Sequence, residues 1–330
     1  MYERISSNVR KSWMLIIGFL LFVALIGGIV GYLTDFGFYA VGAAVVIAVA
    51  MTWFSYFSSD KIALSMSRAK PADPNQYLQL HNVVEGLSIA AGIPKPRVYV
   101  VEDDAPNAFA TGRNYEHAAV AVTTGLLAKM NRDELEGVIA HELAHIQNRD
   151  TLVMTLAVTL VGVIVLIADI FLRMMWFGGG SRNNDRGGGL AAPLAIIGII
   201  LLVLSPFIAQ ALQFAISRQR EFLADAEAVK FTRYPQGLIS ALEKLKGDQT
   251  VVRSASRATA HLWIEEPIAL EPQKGVPGGS KSGNRLNKLF ATHPPLDERI
   301  AALHQTAFGG TYAPGQPGPQ QPSPTSPPQG

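Results

Sequence analysis

Four long apolar runs set the first constraint on this chain. They extend over about Trp13–Leu33, Phe36–Phe57, Leu152–Met175 and Leu190–Leu212. Each is long enough to cross a hydrocarbon core of about 30 Å as a helix. Thr34-Asp35 is the whole connection between the first two, so these are expected to form a tight hairpin. The length of the first run, and the second span directly behind it, disfavour a cleaved signal peptide. Composition agrees with a membrane protein: 48% of the residues are hydrophobic, 16% are charged, and mean hydropathy is +0.21. A net charge of +2 and the lack of a basic stripe with interleaved aromatics exclude nucleic acid as a partner class.

Positive charge gives the runs an orientation. Arg4, Arg10 and Lys11 precede the first span, and Lys61, Arg68 and Lys70 follow the second, so both flanks belong in the cytoplasm. The third and fourth spans then return the chain to the cytoplasm at Arg218 and Arg220. The external loop between them, Gly178-Gly179-Gly180 through Gly187-Gly188-Gly189, reads as a flexible turn. It carries Arg173, Arg182 and Arg186 against Asp185, which opposes this orientation; the N-terminal bias dominates. Asp169 inside the third span is costly in lipid and calls for an interhelical partner or, as the functional alternative, a cavity to face. Gly27 and Gly31 suit routine helix packing, and Pro206 is expected to kink the fourth span. The chain thus divides into a cytoplasmic N-terminus (1–12), a membrane hairpin (13–57), a first polar part (58–151), a second hairpin (152–212), a second polar part (213–308) and a Pro-rich tail (309–330). The tail cannot bury enough apolar surface to order itself.

In the first polar part, Asn75–Ala91 has the spacing of an amphipathic helix, with Leu78, Leu80, Val84, Leu87 and Ile89 as its apolar positions. Arg97–Glu102, Ala108–Thr111 and Ala118–Val122 read as three short strands. Arg132–Asp150 returns to helical spacing, with Asp133 as a first-turn acid. This helix carries His141-Glu142-Leu143-Ala144-His145. Histidines at i and i+4 share one helix face, so both imidazoles can reach one Zn²⁺. Glu142 between them is placed to take a proton from a zinc-bound water. The chain has no cysteine, so any zinc must be held by His, Glu or Asp.

After the fourth span, Gln213–Lys230 and Tyr234–Lys246 are helical in pattern. Glu221-Phe222-Leu223-Ala224-Asp225 lies on the first of these, with Glu221 and Asp225 again on one face. A catalytic zinc takes three protein ligands and keeps one position open. Glu221 supplies the third ligand to His141 and His145. Asp225, one turn on, could accept the second N–H of a ligand histidine and fix its tautomer. Taken alone, Glu221 would be read as a surface partner of Arg218 or Arg220.

HELAHIQNRD, SRQREFLADAEAV and FATHPPLDERI, in this order and alternating with apolar runs, resemble the HtpX-type heat-shock membrane metalloproteases, relatives of the CAAX prenyl proteases. The resemblance reaches to about Leu303 and leaves out the Pro-rich tail. It implies a mainly α membrane protein: four transmembrane helices plus a zincin-like (gluzincin) α+β catalytic domain with a small sheet. It also implies one zinc per chain on His141, His145 and Glu221, with Glu142 as general base. The activity implied is endopeptidase action on misfolded membrane proteins, in a cell inner membrane, with both termini and the catalytic domain cytoplasmic. Its implied partners are polypeptide substrates, the lipid bilayer and other membrane proteases. In the prenyl proteases an equivalent His and Arg approach the active site, which makes His293 and Arg299 candidates for stabilising an oxyanion. Read without the resemblance, His293 is a helix-entry residue before two prolines, and Arg299 pairs with Asp297 or Glu298.

Asn107-Ala108-Phe109-Ala110 is similar to the family's edge strand, which would hold an extended peptide by main-chain hydrogen bonds. Arg149 stands where many relatives have glycine. His81, His117, His261 and His304 fall outside any ligand spacing and read as solvent or packing histidines. Two other functions compete with quality-control proteolysis. One is a narrow processing peptidase akin to the prenyl proteases, disfavoured by the count of four spans. The other is a non-catalytic zinc-stabilised scaffold, disfavoured by an intact ligand set with its base. If the HELAH helix and the Glu221 helix both run unbroken from their spans, the second hairpin ties the two halves of the metal site together at the membrane surface.

Overall fold

A computed structural model of the chain describes residues 2–33, 38–154, 156, 173, 218–248, 250, 263–264 and 294–307. The first two apolar runs form helices α1 (Tyr2–Leu33) and α2 (Phe38–Met66). Phe19, Val23 and Ala48 are buried where the pair packs together. Trp13, Ile17, Leu21 and Leu25 stay exposed on α1, an apolar surface suited to lipid. Among the described residues, one helix, α1, is long and apolar enough to cross a membrane, over Asn8–Ile29; α2 passes the same test only as two pieces, Val41–Phe54 and Tyr56–Met66, bent by 62°, a broken span or a re-entrant loop. Most of the expected third span, the whole fourth span, Asp169, Pro206, His261, His293 and the Pro-rich tail lie outside the described residues.

Helix α2 outruns its apolar stretch. It continues past Phe57 to Met66, and its last turns bury Ala63 and Leu64 against the sheet. Asp60 on this extension meets Arg97 at 2.5 Å, and Arg113 donates to the Phe57 carbonyl at 3.1 Å. The α1–α2 pair is therefore continuous with the polar domain.

Among the described residues the sheet has four strands, β1 (Lys70–Pro71), β2 (Arg97–Val101), β3 (Ala108–Thr111) and β4 (Ala119–Thr123). Their order is β1-β2-β4-β3, with β2 parallel to β4 and the other pairs antiparallel. The three expected strands are present, and β1 adds a two-residue edge. Alternation along β4 explains the layering. Val120 and Val122 face the helices with Leu80, Val84, Val138 and Leu143, whereas Ala119 and Ala121 face Ala63, Leu64 and Phe109. Small residues stand on the side that α2 approaches.

Helix α3 covers Leu78–Ala91 and ends on Gly92, at φ +67. It starts later than the pattern predicts because Asp73 captures the preceding turn, accepting from the Asn75 amide through its side chain and from the Tyr77 amide through its carbonyl. Leu80, Val83, Val84, Leu87 and Ala91 are buried. Leu78 and Ile89, expected on the apolar face, are 59% and 76% exposed. A short helix α4 (Thr124–Lys129), which the pattern did not reveal, follows β4 on a Thr123 cap.

Helix α5 (Arg132–Gln147) opens with a capping box, in which Asn131 and Glu134 each accept from the other's backbone amide. It was expected to reach Asp150 but stops at Gln147. The reason is Arg149, which adopts a left-handed φ of 57°, and helical geometry resumes only at residue 150. The described residues add α6 (Arg218–Thr232) and α7 (Pro235–Gly247), which pack against α5, and α8 (Leu296–Ala307), which packs on α6 and α7.

Contact between α5 and α7 depends on a missing side chain. A Cβ on Gly137 would lie 2.6 Å from the Leu238 amide nitrogen and 2.7 Å from its Cα. Gly137→Ala is expected to destabilise the protein by about 1–3 kcal/mol, because backbone must move. Gly86→Ala, on the open face of α3 with nothing within 4 Å, should stabilise by about 0.5–1 kcal/mol. Thermal midpoints of the two variants in detergent would check the pair, and an unchanged Gly137→Ala midpoint would show that the helices can separate freely.

Candidate metal centre

The i, i+4 spacing on α5 turns His141 and His145 the same way, with Nε2 atoms 3.2 Å apart. Helix α6 brings Glu221 to the same point from the other side of the second apolar pair. Its Oε2 lies 3.6 Å from His141 Nε2, and its Oε1 lies 3.5 Å from His145 Nε2. Ligand atoms of a tetrahedral site with bonds of about 2.0–2.1 Å stand about 3.3–3.4 Å apart. The two imidazoles stand 3.2 Å apart and Glu221 turns one oxygen toward each, at 3.6 and 3.5 Å, separations of the size that ligands of one such ion require. All three residues are buried, with relative exposures of 5% or less. A single metal ion fits the donor set.

Each histidine is held from behind by a carboxylate. Asp225 Oδ1 is 2.8 Å from His141 Nδ1, and Asp150 Oδ2 is 3.2 Å from His145 Nδ1. An ionised carboxylate only accepts, so each ring keeps a proton on Nδ1 and turns Nε2 toward the other donors, where a metal must displace any Nε2 proton to bind. Burial by itself would depress the His141 pKa, as would the Arg299 charge, but Asp225 and Glu221 outweigh both and push it up to about 9. Burial likewise opposes the charged form of His145, yet the Asp150 hydrogen bond and Glu221 raise its pKa.

Arg299, on α8, is fully buried and grips Asp225 with two hydrogen bonds, Nε to Oδ2 at 2.9 Å and Nη2 to Oδ1 at 2.6 Å. Its Nη1 stands 3.6 Å from Glu221 Oε2. Burial would raise the Asp225 carboxyl, but Arg299 and His141 hold it below the usual carboxylate range. Glu142 is buried on α5 beside these groups, and its charge reaches Arg299. The alternative partners for Arg299 are excluded in one case: Asp297 pairs instead with Lys246. Glu221 is also no surface residue, and Arg220 lies 3.5 Å from Asp150.

Two members of the site escaped sequence reasoning. Asp150 stands five residues after His145, off the face that an unbroken helix would share with it. Only the left-handed Arg149 turn brings it back. Asn8, on α1, donates to Asp150 Oδ1 at 2.7 Å, and no local pattern could link positions so far apart.

Strand β3 lies at the sheet edge, as expected, but that edge is taken within the chain. Phe109 pairs with Trp263 in an antiparallel bridge, and the Ile264 amide donates to the Ala108 carbonyl at 2.9 Å. Trp263 and Phe109 are fully buried, with ring centroids 4.7 Å apart. Asn107 is buried and tied to Thr123 through its amide and carbonyl. His81 caps the Ala72 carbonyl and His117 is bound to Asn114. Both are structural, as expected.

The family model of peptidase family M48 matches residues 74–307, the segment that contains every residue of the centre except Asn8. The chain belongs to this family. It is a metallopeptidase, and polypeptides are its substrates. M48 relatives of matching length accompany it: a "Protease HtpX homolog" of Caldanaerobacter subterraneus subsp. tengcongensis is 44% identical over 304 residues, covering 92% of this chain and 97% of the relative. One of Thermoanaerobacter pseudethanolicus, with the same coverage, is 46% identical. A crystal structure of S. mikatae Ste24p is similar over 92% of this chain and 67% of that one, at a TM-score of 0.44 and 22% identity.

Metal should stabilise the folded M48 domain by mass action, about 1.4 kcal/mol for each tenfold excess over Kd. Stripping the protein with a chelator is expected to lower its thermal midpoint, and added metal should restore it. Glu221→Gln, which removes the anionic ligand, should abolish most of that recovery. A variant that recovered as fully as wild type would remove Glu221 from the ligand set.

Proposed function

We propose that this chain is a zinc-dependent endopeptidase of the cell membrane that cuts misfolded or damaged membrane proteins. In this reading four transmembrane helices anchor it, with both termini and the catalytic domain on the cytoplasmic side. One zinc ion is held by His141, His145 and Glu221. The observation that carries the reading is the convergence of these three buried ligand atoms beside Glu142. A site of two imidazoles and one carboxylate, in a chain without cysteine, suits zinc chemically. The exposed apolar face of α1 supports the membrane setting.

Bound zinc would polarise the scissile carbonyl and make a water molecule more acidic. Everything else falls to the chain. Asp225 and Asp150 hold the Nδ1 protons, so that both histidines offer Nε2. Glu142 accepts a proton from the attacking water and delivers it to the leaving amine. Arg299 acts through Asp225, which it keeps ionised and aimed at His141; its complete burial in that pair favours positioning over contact with substrate. His293 remains the candidate for oxyanion stabilisation. The β3 edge at Asn107, Ala108, Phe109 and Ala110 is the place for an extended peptide. Trp263 and Ile264 now pair with that edge, so a substrate peptide would take their place there. Backbone pairing of this kind tolerates many sequences, as disposal of damaged proteins requires.

Glu142→Gln keeps the side-chain volume and all three ligands but cannot accept a proton. Zinc content should stay at one per chain while cleavage of an unfolded or membrane substrate falls by a factor on the order of 10² or more. Proteolysis at the wild-type rate in the zinc-loaded variant would rule out Glu142 as the base. Comparing membrane peptides that accumulate in cells carrying wild-type or Glu142→Gln protein would identify substrates.

A further inference from the structure

The turn that ends α5 is held from several directions. Gln147 donates from Nε2 to the Ala91 carbonyl at 2.6 Å, and the Tyr115 hydroxyl donates to the Gln147 carbonyl at 2.9 Å. The Asn148 side chain donates to Glu227 on α6. Arg149 lays its guanidinium over the Tyr115 ring, 5.2 Å from the centroid. The remaining hold comes from the membrane hairpin. Asn8 Nδ2 donates one hydrogen bond to the Asn148 carbonyl at 2.9 Å and another to Asp150 Oδ1 at 2.7 Å. An amide has two N–H donors, and these two acceptors engage both.

Asp150 is thereby shared. Its Oδ1 receives Asn8 and stands 3.5 Å from Arg220 Nη1, while its Oδ2 faces His145 Nδ1 at 3.2 Å. Asn8 and Asp150 are 5% and 2% exposed. A primary amide buried at the mouth of a transmembrane helix needs partners, and it finds both on the loop that sets a metal-binding imidazole. Through that carboxylate it fixes the rotation of the His145 ring.

We infer that Asn8 is a positioning residue for the metal centre: it anchors Asp150, and Asp150 orients His145. The first membrane helix is thus a working part of the site, although it contributes no ligand. This inference rests on the metal reading given above.

The test uses the full-length protein in detergent or nanodiscs, stripped of metal. Zinc affinity is measured by competition with a chelator, and the visible spectrum is recorded with cobalt(II) in place of zinc. Asn8→Ala should weaken zinc binding about tenfold or more, in line with the loss of an outer-shell partner, and should shift or weaken the cobalt bands. Asn8→Asp, which keeps the volume but removes the donor, should do the same if the alanine variant folds poorly. Asp150→Ala should weaken zinc at least as much. The double variant should be no weaker than Asp150→Ala alone, because Asn8 acts through Asp150. Wild-type zinc affinity and cobalt spectrum in both Asn8 variants would overturn the inference, as would full additivity with Asp150→Ala. Wild-type protein that took up neither metal would overturn the metal reading itself, a result distinguishable from either of these.

Discussion

The pairing of two buried carboxylates behind two buried imidazoles is the constraint on which the rest of this structure depends. Taking ionised groups out of water costs several kcal/mol each unless partners replace the lost hydration. Asp225 has Arg299 and His141 around it, and Asp150 has Asn8, Arg220 and His145. To supply those partners, α1, α5, α6 and α8 must all meet at one place. The sheet, α3 and α7 then serve as the apolar support that keeps α5 fixed. Each carboxylate has more than one partner, so the loss of one weakens the arrangement while the others still offset the charge.

Much of this was legible before any coordinates. The i, i+4 rule placed His141 with His145 and Glu221 with Asp225. Strand patterning placed β2, β3 and β4 within about one residue. What escaped did so for identifiable physical reasons. Asp150 is invisible to helical periodicity because a left-handed residue interrupts the helix before it. Asn8 acts over a sequence separation that no local pattern records, and Arg299 was marked by the resemblance alone, because Asp297 is its more obvious partner in a local reading. Leu78 and Ile89 fit an apolar pattern yet face outward. Periodicity marks a stripe, but the neighbours decide how wide a stripe they cover.

Arg149 shows how a local departure can be retained. A left-handed φ costs a non-glycine residue roughly 1–2 kcal/mol. Here the turn is clamped by Gln147, Asn148 and Asn8, and the guanidinium gains a ring to lie over. Glycine would adopt the same backbone without strain but would offer nothing to Tyr115. The surroundings hold the turn in place, so the residue at its apex has some freedom to vary.

The centre draws on the chain at widely spaced points: Asn8 on α1, His141 and His145 before the later apolar runs, Glu221 after them, and Arg299 in the first turn of α8. A chain made from its N-terminus therefore exposes a histidine pair long before it has a third ligand or the arginine that steadies Asp225. Its own synthesis acts as a delay. The growing polypeptide carries two of the three ligands before the later apolar runs are made, and the set closes only when Glu221 follows them.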